Sequence, residues 1–163
     1  MWMVTAFTFY ENISFIKYVP GDFENNYLIV SCVDVIGALV AGWIYQVINK
    51  PRLLFFTYSA IAAISSIYLI FETEGDEHSW ALPINLGINR AGIIMNFTTV
   101  FMAHPNFFPT LFVATSLGIS NFFTRILVIL APLFAESEPP LPQALMASLL
   151  IIQSLSALCL KDG

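Results

Sequence analysis

Apolar residues fall into six long runs separated by short polar or proline-bearing breaks. The first extends from Trp2 to about Val19, is interrupted by Glu11 and Lys17, and stops at Pro20-Gly21-Asp22, a turn cluster that does not continue a helix. The second, Tyr27 to Ile48, contains one charge, Asp34, and closes at Asn49-Lys50-Pro51-Arg52. The third, Leu53 to Phe71, has no charge. An acidic connector, Glu72 to Ser79, leads to a fourth run from Trp80 to about Ala103, which carries Arg90 and ends at His104-Pro105-Asn106. The fifth, Phe108 to about Phe134, holds Arg125, with Pro132 expected to kink it rather than end it. A proline-rich acidic stretch, 135–142, precedes the last run, Gln143 to Leu160. Barrel strands of about 10 residues with apolar/polar alternation do not fit runs of this length. The pattern predicts one all-α membrane domain over 1–163, a bundle of six transmembrane helices at about 2–19, 27–48, 53–71, 80–103, 108–134 and 143–160.

Composition sharpens this reading. The chain is 58% hydrophobic and 10% charged, where soluble domains have about 45–50% and about 25%. A mean hydropathy of +0.78 excludes a disordered chain. The solvent implied is a lipid bilayer. Six Lys and Arg in all, with no run among them, exclude nucleic acid as a partner. Cys32 and Cys159 lie in apolar runs without metal-like spacing and read as small packed hydrophobes. No metal or other cofactor is expected. Nothing near Met1 reads as a cleavable signal peptide.

The distribution of charge orients the chain. Lys50, Arg52 and Lys161 fall in connectors that share a side with the N-terminus, whereas the opposite connectors carry Asp22, Glu24, Glu72, Glu74, Asp76, Glu77, Glu136 and Glu138 and no Lys or Arg. A multi-pass integral membrane protein with both termini cytoplasmic is expected. Tyr27 and Trp80 at outer ends and Tyr45 at an inner end suit an aromatic belt.

Four charges remain inside the runs: Glu11, Asp34, Arg90 and Arg125. Counting along each run at 1.5 Å per residue puts all four roughly 10–15 Å below the outer surface. An unpaired charge at such depth costs about 2.5–3.5 kcal/mol, so these two acids and two bases are expected to pair around a polar interior. That interior is read either as a structural ion-pair network or as a solute or proton site. Asn89, Asn96, Thr98 and Thr99 on the fourth run and Ser120, Asn121 and Thr124 on the fifth add polar surface near it.

Other signals are weaker. Gly37, Ala38, Ala41 and Gly42 read as a packing face, and His104 as a loop residue. Asn12-Ile-Ser14 and Asn96-Phe-Thr98 match a glycosylation triplet but fall inside predicted spans. No catalytic motif such as G-x-S-x-G, H-E-x-x-H or G-x-x-x-x-G-K is present, so no enzyme is expected.

The fourth and fifth runs carry a longer pattern: Asn89-Arg90-Ala91-Gly92-Ile93, Phe107-Phe108-Pro109-Thr110, Ser116-Leu117-Gly118, Arg125 and Ile129-Leu130-Ala131-Pro132. It resembles the tenth and eleventh helices of the organic ion (cation, anion and zwitterion) transporters of the major facilitator superfamily. Trp2 with Phe9-Tyr10 looks like the second part of that family's helix seven, and Asp34 falls where its helix eight has a glutamate. On this resemblance the chain is a C-terminal six-helix half lacking the start of helix seven. Asn106 and Val113 stand where the family's motif is acidic and basic, and Glu11 where it tends to have glycine. The resemblance implies secondary transport of a small organic ion, anionic or zwitterionic because Arg125 is basic. Arg125, Arg90, Asp34, Tyr10 and Thr98 would line the substrate site, and a second six-helix half, from missing sequence or another chain, would complete the carrier. The alternative is a truncated, non-transporting membrane protein that packs with other membrane helices.

Overall fold

The computed structural model describes residues 1–18, 23–72, 81–137 and 140–160. The turn cluster at 20–22, Glu74, Asp76, Glu77, Trp80, Glu138 and Lys161 lie outside the described residues. Seven α-helices account for most of the rest: α1 (Trp2–Phe15, continued by a 3-10 turn at Ile16–Tyr18), α2 (Phe23–Ile48), α3 (Pro51–Glu72), α4 (Ala81–Phe107), α5 (Thr110–Val128), α6 (Ala131–Ala135) and α7 (Leu141–Leu158). The described residues contain no strand.

Four segments are long and apolar enough to cross a membrane: Tyr27–Ile48, Pro51–Phe71, Thr110–Ala135 and Leu141–Leu158. Two of the six predicted spans fall short of that standard. The 14 residues of α1 reach only about 21 Å against a hydrocarbon core of about 30 Å. The 27 residues of α4 are long enough, but Asn85, Asn89, Arg90, Asn96 and His104 dilute its apolar character.

Local chemistry sets the helix ends. Asn49 has φ 46, the left-handed conformation that asparagine tolerates at a helix terminus, and its N–H donates to the Tyr45 carbonyl at 2.9 Å. Pro51 then opens α3, where a missing N–H costs nothing. The break expected at His104-Pro105-Asn106 lies later. Helix α4 runs through Pro105 to Phe107, because His104 is held by packing, and the chain leaves the helix at Phe108, the residue that Pro109 pushes out of the α region. Pro132 does more than kink the fifth segment: α5 ends at Val128, two turn residues follow, and α6 restarts at Ala131.

Packing is organised by two helices. Helix α4 contacts α1, α2 and α3, while α1 contacts α4, α5, α6 and α7, and α3 lies against α7. Exchange of the triplet α1, α2, α3 for α4, α5–α6, α7 maps these contacts onto themselves: α2 on α4 becomes α5–α6 on α1, α3 on α4 becomes α7 on α1, and α1–α4 and α3–α7 are unchanged. The pattern of these main contacts is therefore unchanged by exchange of the two triplets, with smaller α4–α5 and α6–α7 contacts inside the second.

The interior has an apolar part, with Tyr45, Leu54, Phe55, Tyr58, Val100 and Ala157 in one cluster and Ala62, Ala63, Ile93, Met146 and Leu150 in another. Gly92 allows α4 to approach α3 closely, since a Cβ there would lie 2.9 Å from that of Ala62 and 3.0 Å from the Tyr58 carbonyl. The predicted small-residue face of α2 also packs, with Gly37 against Ile94 and Gly42 near Met102 of α4. Large apolar residues such as Leu39, Trp43, Leu111 and Phe122 point outward, while Thr5, Thr8, Glu11, Asn12, Asn89, Arg90 and Gln153 are buried. Polar inside and apolar outside is the arrangement lipid favours.

Two expectations are corrected by this arrangement. Cys32 and Cys159 are free and exposed rather than packed, because a small apolar thiol meets lipid as readily as protein. Tyr45 is buried, not in a belt, and its hydroxyl accepts from Asn106 Nδ2 at 2.7 Å.

Candidate functional site

The polar interior is centred on Arg90. Helix α4 carries its guanidinium into the space between α1 and α2, where it is 1% exposed. Nε donates to Asp34 Oδ1 at 2.7 Å and Nη2 to Oδ2 at 2.6 Å, a two-pronged pairing that fits a planar guanidinium to a carboxylate. Nη1 donates to the Phe9 carbonyl at 3.1 Å and more weakly to Asn12 Oδ1 at 3.5 Å. The Phe9 ring covers the cation, 4.1 Å from its Cζ, so a cation–π attraction adds to the ion pair.

From there the network crosses to α3. Asn12 Nδ2 donates to Asn89 Oδ1 at 2.9 Å, and Asn89 Nδ2 donates to the Ala62 carbonyl at 2.8 Å and to Ser66 Oγ at 2.7 Å. Helices α2, α4, α1 and α3 are thus joined by one continuous chain of side chains. The two partners of the ion pair differ: Arg90 is closed in, whereas the Asp34 side chain remains 25% exposed.

An aromatic row runs from this pair along the α1–α4 seam. Tyr10 stands edge-on to Phe9 at 5.5 Å, Phe9 stacks on Phe97 at 5.0 Å, and Phe97 meets Phe101 at 5.1 Å. Trp2 continues the row at 4.6 Å from Phe101 and 5.6 Å from His104, which lies 4.8 Å from Phe108. Trp2 Nε1 donates to Asn121 Oδ1 at 3.1 Å, tying α1 to α5. A cavity of about 400 Å³ opens at this end, bordered by Trp2, His104, Phe107, Phe108 and Ser120. A second, apolar groove of about 670 Å³ lies between α2 and α4 along Val33, Gly37, Val40, Gly87 and Ala91.

The predicted charge layer is resolved into one pair and two separate groups. Asp34 and Arg90 meet. Glu11 is fully buried, but neither carboxylate oxygen has a hydrogen-bond partner. Arg125 is exposed on α5, and the ion pairs among the described residues are Arg90–Asp34 and Lys17–Glu136, at 2.8 Å for the latter. Sequence depth puts all four charges at one level, but each residue turns about 100° around its helix, so equal depth does not bring side chains together. Thr98 is half-buried, with its hydroxyl donating to the Ile94 carbonyl at 3.0 Å. His104 is not a loop residue: it is helical, buried, and its Nε2 lies 2.9 Å from Ser116 Oγ.

Asn12 and Phe9 are parts of the network that reasoning from charge did not find. A signal for Asn12 exists, because Thr5, Thr8 and Asn12 repeat at helical spacing and form one buried polar stripe. Compared with known proteins, the chain matches no protein-family model and no curated protein sequence.

Proposed function

We propose that the chain is one six-helix half of a secondary carrier of the major facilitator type, which moves a small organic ion, anionic or zwitterionic, across the bilayer. The observation that carries this reading is the interchange of three-helix units, because carriers of this type build each half from two inverted three-helix repeats. On this reading α1 and α4 cross the membrane as well. Helix α1 is sheltered by α4, α5, α6 and α7 and so needs neither the length nor the apolarity of a lipid-facing helix.

The roles follow from position. Arg90 and Asp34 lock α4 to α2 and hold the aromatic row in place. The row, Tyr10 and Thr98 form the wall against which the solute packs, and Arg125, the unpaired exposed base, supplies the charge that selects an anion. Both termini face the cytoplasm, and a second six-helix half closes the site, which then opens alternately to either side as the halves rock. The test is uptake of labelled organic anions and cations by cells expressing the chain, with and without an N-terminal six-helix half of a related carrier. Anion uptake that needs the added half and is lost in Arg125→Ala supports the reading. Absence of uptake, with insertion verified, refutes it.

One observation favours the second reading, a non-transporting protein that packs with other membrane helices: the Arg90 charge is enclosed and matched by Asp34, leaving no free cation at the centre. Crosslinking of the exposed α2 and α5 faces to other membrane proteins, without uptake, is its signature.

A further inference from the structure

Glu11 is not needed by the ion pair or by the aromatic row, yet it is fully buried. It shares one face of α1 with Phe7 and Phe15, four residues to either side and both buried. The Phe7 ring meets Phe134 of α6 at 6.1 Å, while Phe15 clusters with Leu69 of α3 and Leu86 of α4, so Glu11 lies between a part of α1 that meets α6 and a part that meets α3 and α4. Two contacts fix the level. Trp2–Asn121 and Lys17–Glu136 have the same sequence separation, 119, which sets Glu11 at the level of Leu130, in the turn that breaks the fifth segment. The buried side chains of α6 are small, Ala131 and Ala135, and Pro132, having no N–H, leaves the Val128 carbonyl without its usual helical donor.

Among the described residues, no cation faces the carboxyl. On α4, Arg90 lies toward Phe9 and Asn12 and is matched by Asp34, and His104 is beside Trp2 near the start of α1. On α5, Arg125 is exposed. After α6, Glu136 is paired with Lys17, and α7 contains no titratable side chain. A carboxylate enclosed without a donor or counter-ion is too costly to persist, whereas the acid is a small polar group with a proton to donate.

We propose that Glu11 is an intramembrane proton-binding site: the closed bundle holds it as the neutral acid, and it releases the proton when the packing around α1 opens to water. The site stands whether or not the chain transports an organic ion. The experiment is infrared spectroscopy of the full chain in lipid bilayers at neutral pH, comparing the carboxylic acid C=O band of the wild type with that of Glu11→Gln, whose amide matches the acid in size. Loss of a wild-type band in the variant is expected, and identical spectra overturn the proposal. Labelling of the wild type with lipophilic dicyclohexylcarbodiimide supplies a readout free of any folding defect. The carboxylic acid adds across the carbodiimide, its proton going to nitrogen and its oxygen to the central carbon, and mass spectrometry locates the adduct. Label on Glu11 from this reagent and not from a water-soluble carbodiimide is expected. Preference for the water-soluble reagent, or no label on Glu11 while exposed carboxylates react, overturns the proposal.

Discussion

Removal of Asp34 strands a buried cation. Asp34→Ala takes away both short acceptors of Arg90 and leaves its Nη1 contacts to Phe9 and Asn12. Breaking one side of a buried pair costs about 3–5 kcal/mol, and the 25% exposure of Asp34 brings the expected loss toward about 2–3 kcal/mol because that end is partly solvated. In the folded-to-unfolded ratio this is about 30- to 150-fold. Arg90→Met leaves the stranded charge on the more open partner and is expected to cost less. Asp34→Ala with Arg90→Met removes the stranded charge altogether, so the double variant is expected to be more stable than Asp34→Ala alone. The assay is unfolding by a denaturing detergent in mixed micelles, followed by helical circular dichroism. If the double variant loses the sum of the two single losses, Asp34 and Arg90 do not act as a pair, and the argument for a lock between α2 and α4 fails.

Three further perturbations test other contacts. Gly92→Ala forces α4 off the α3 backbone and is expected to cost about 1–3 kcal/mol by the same unfolding assay; Gly87→Ala and Gly118→Ala, which meet nothing within 4 Å, are expected to be neutral or to stabilise by up to about 1 kcal/mol. Asn89→Leu leaves the buried Nδ2 of Asn12 without its acceptor and removes one donor to Ser66 Oγ; it is expected to cost about 1–3 kcal/mol, with loss of the α1–α4–α3 link visible as faster amide hydrogen exchange in α1. With Cys32→Ser and Cys159→Ser as background, Arg125→Cys is expected to react with a water-soluble thiol reagent in membranes while Arg90→Cys stays inert; inertness of both counts against an aqueous path to Arg125.

The long apolar helices were legible because an uninterrupted apolar run has few other ways to satisfy its backbone in lipid. Helices α2, α3, α5 and α7 follow the predicted runs to within a few residues at most ends. Prolines were read less well. Pro105 and Pro132 each remove one hydrogen bond, and whether a helix survives that loss depends on tertiary support, which His104 has from Trp2 and Ser116. The site was half legible. Composition and depth singled out Asp34 and Arg90, but azimuth decides pairing, and it separated Glu11 and Arg125 from them. The asparagines that complete the network carry no charge to draw attention, and the interchange of three-helix units left no repeated motif in the sequence to announce it.

That interchange has a consequence for synthesis. Almost every substantial helix contact joins a member of the first triplet to a member of the second, with α1, α2 and α3 making little contact among themselves beyond the 3-10 turn after α1. Helices emerge from the ribosome in order, so the first three are made before any of their main partners exist. Until α4 arrives, Asn12 lacks Asn89 and Asp34 lacks Arg90, and Thr5 lacks Gln153 until α7 is made. The nascent chain therefore waits with Asn12 and Asp34 short of these partners, and α4 is the helix whose arrival allows assembly to begin.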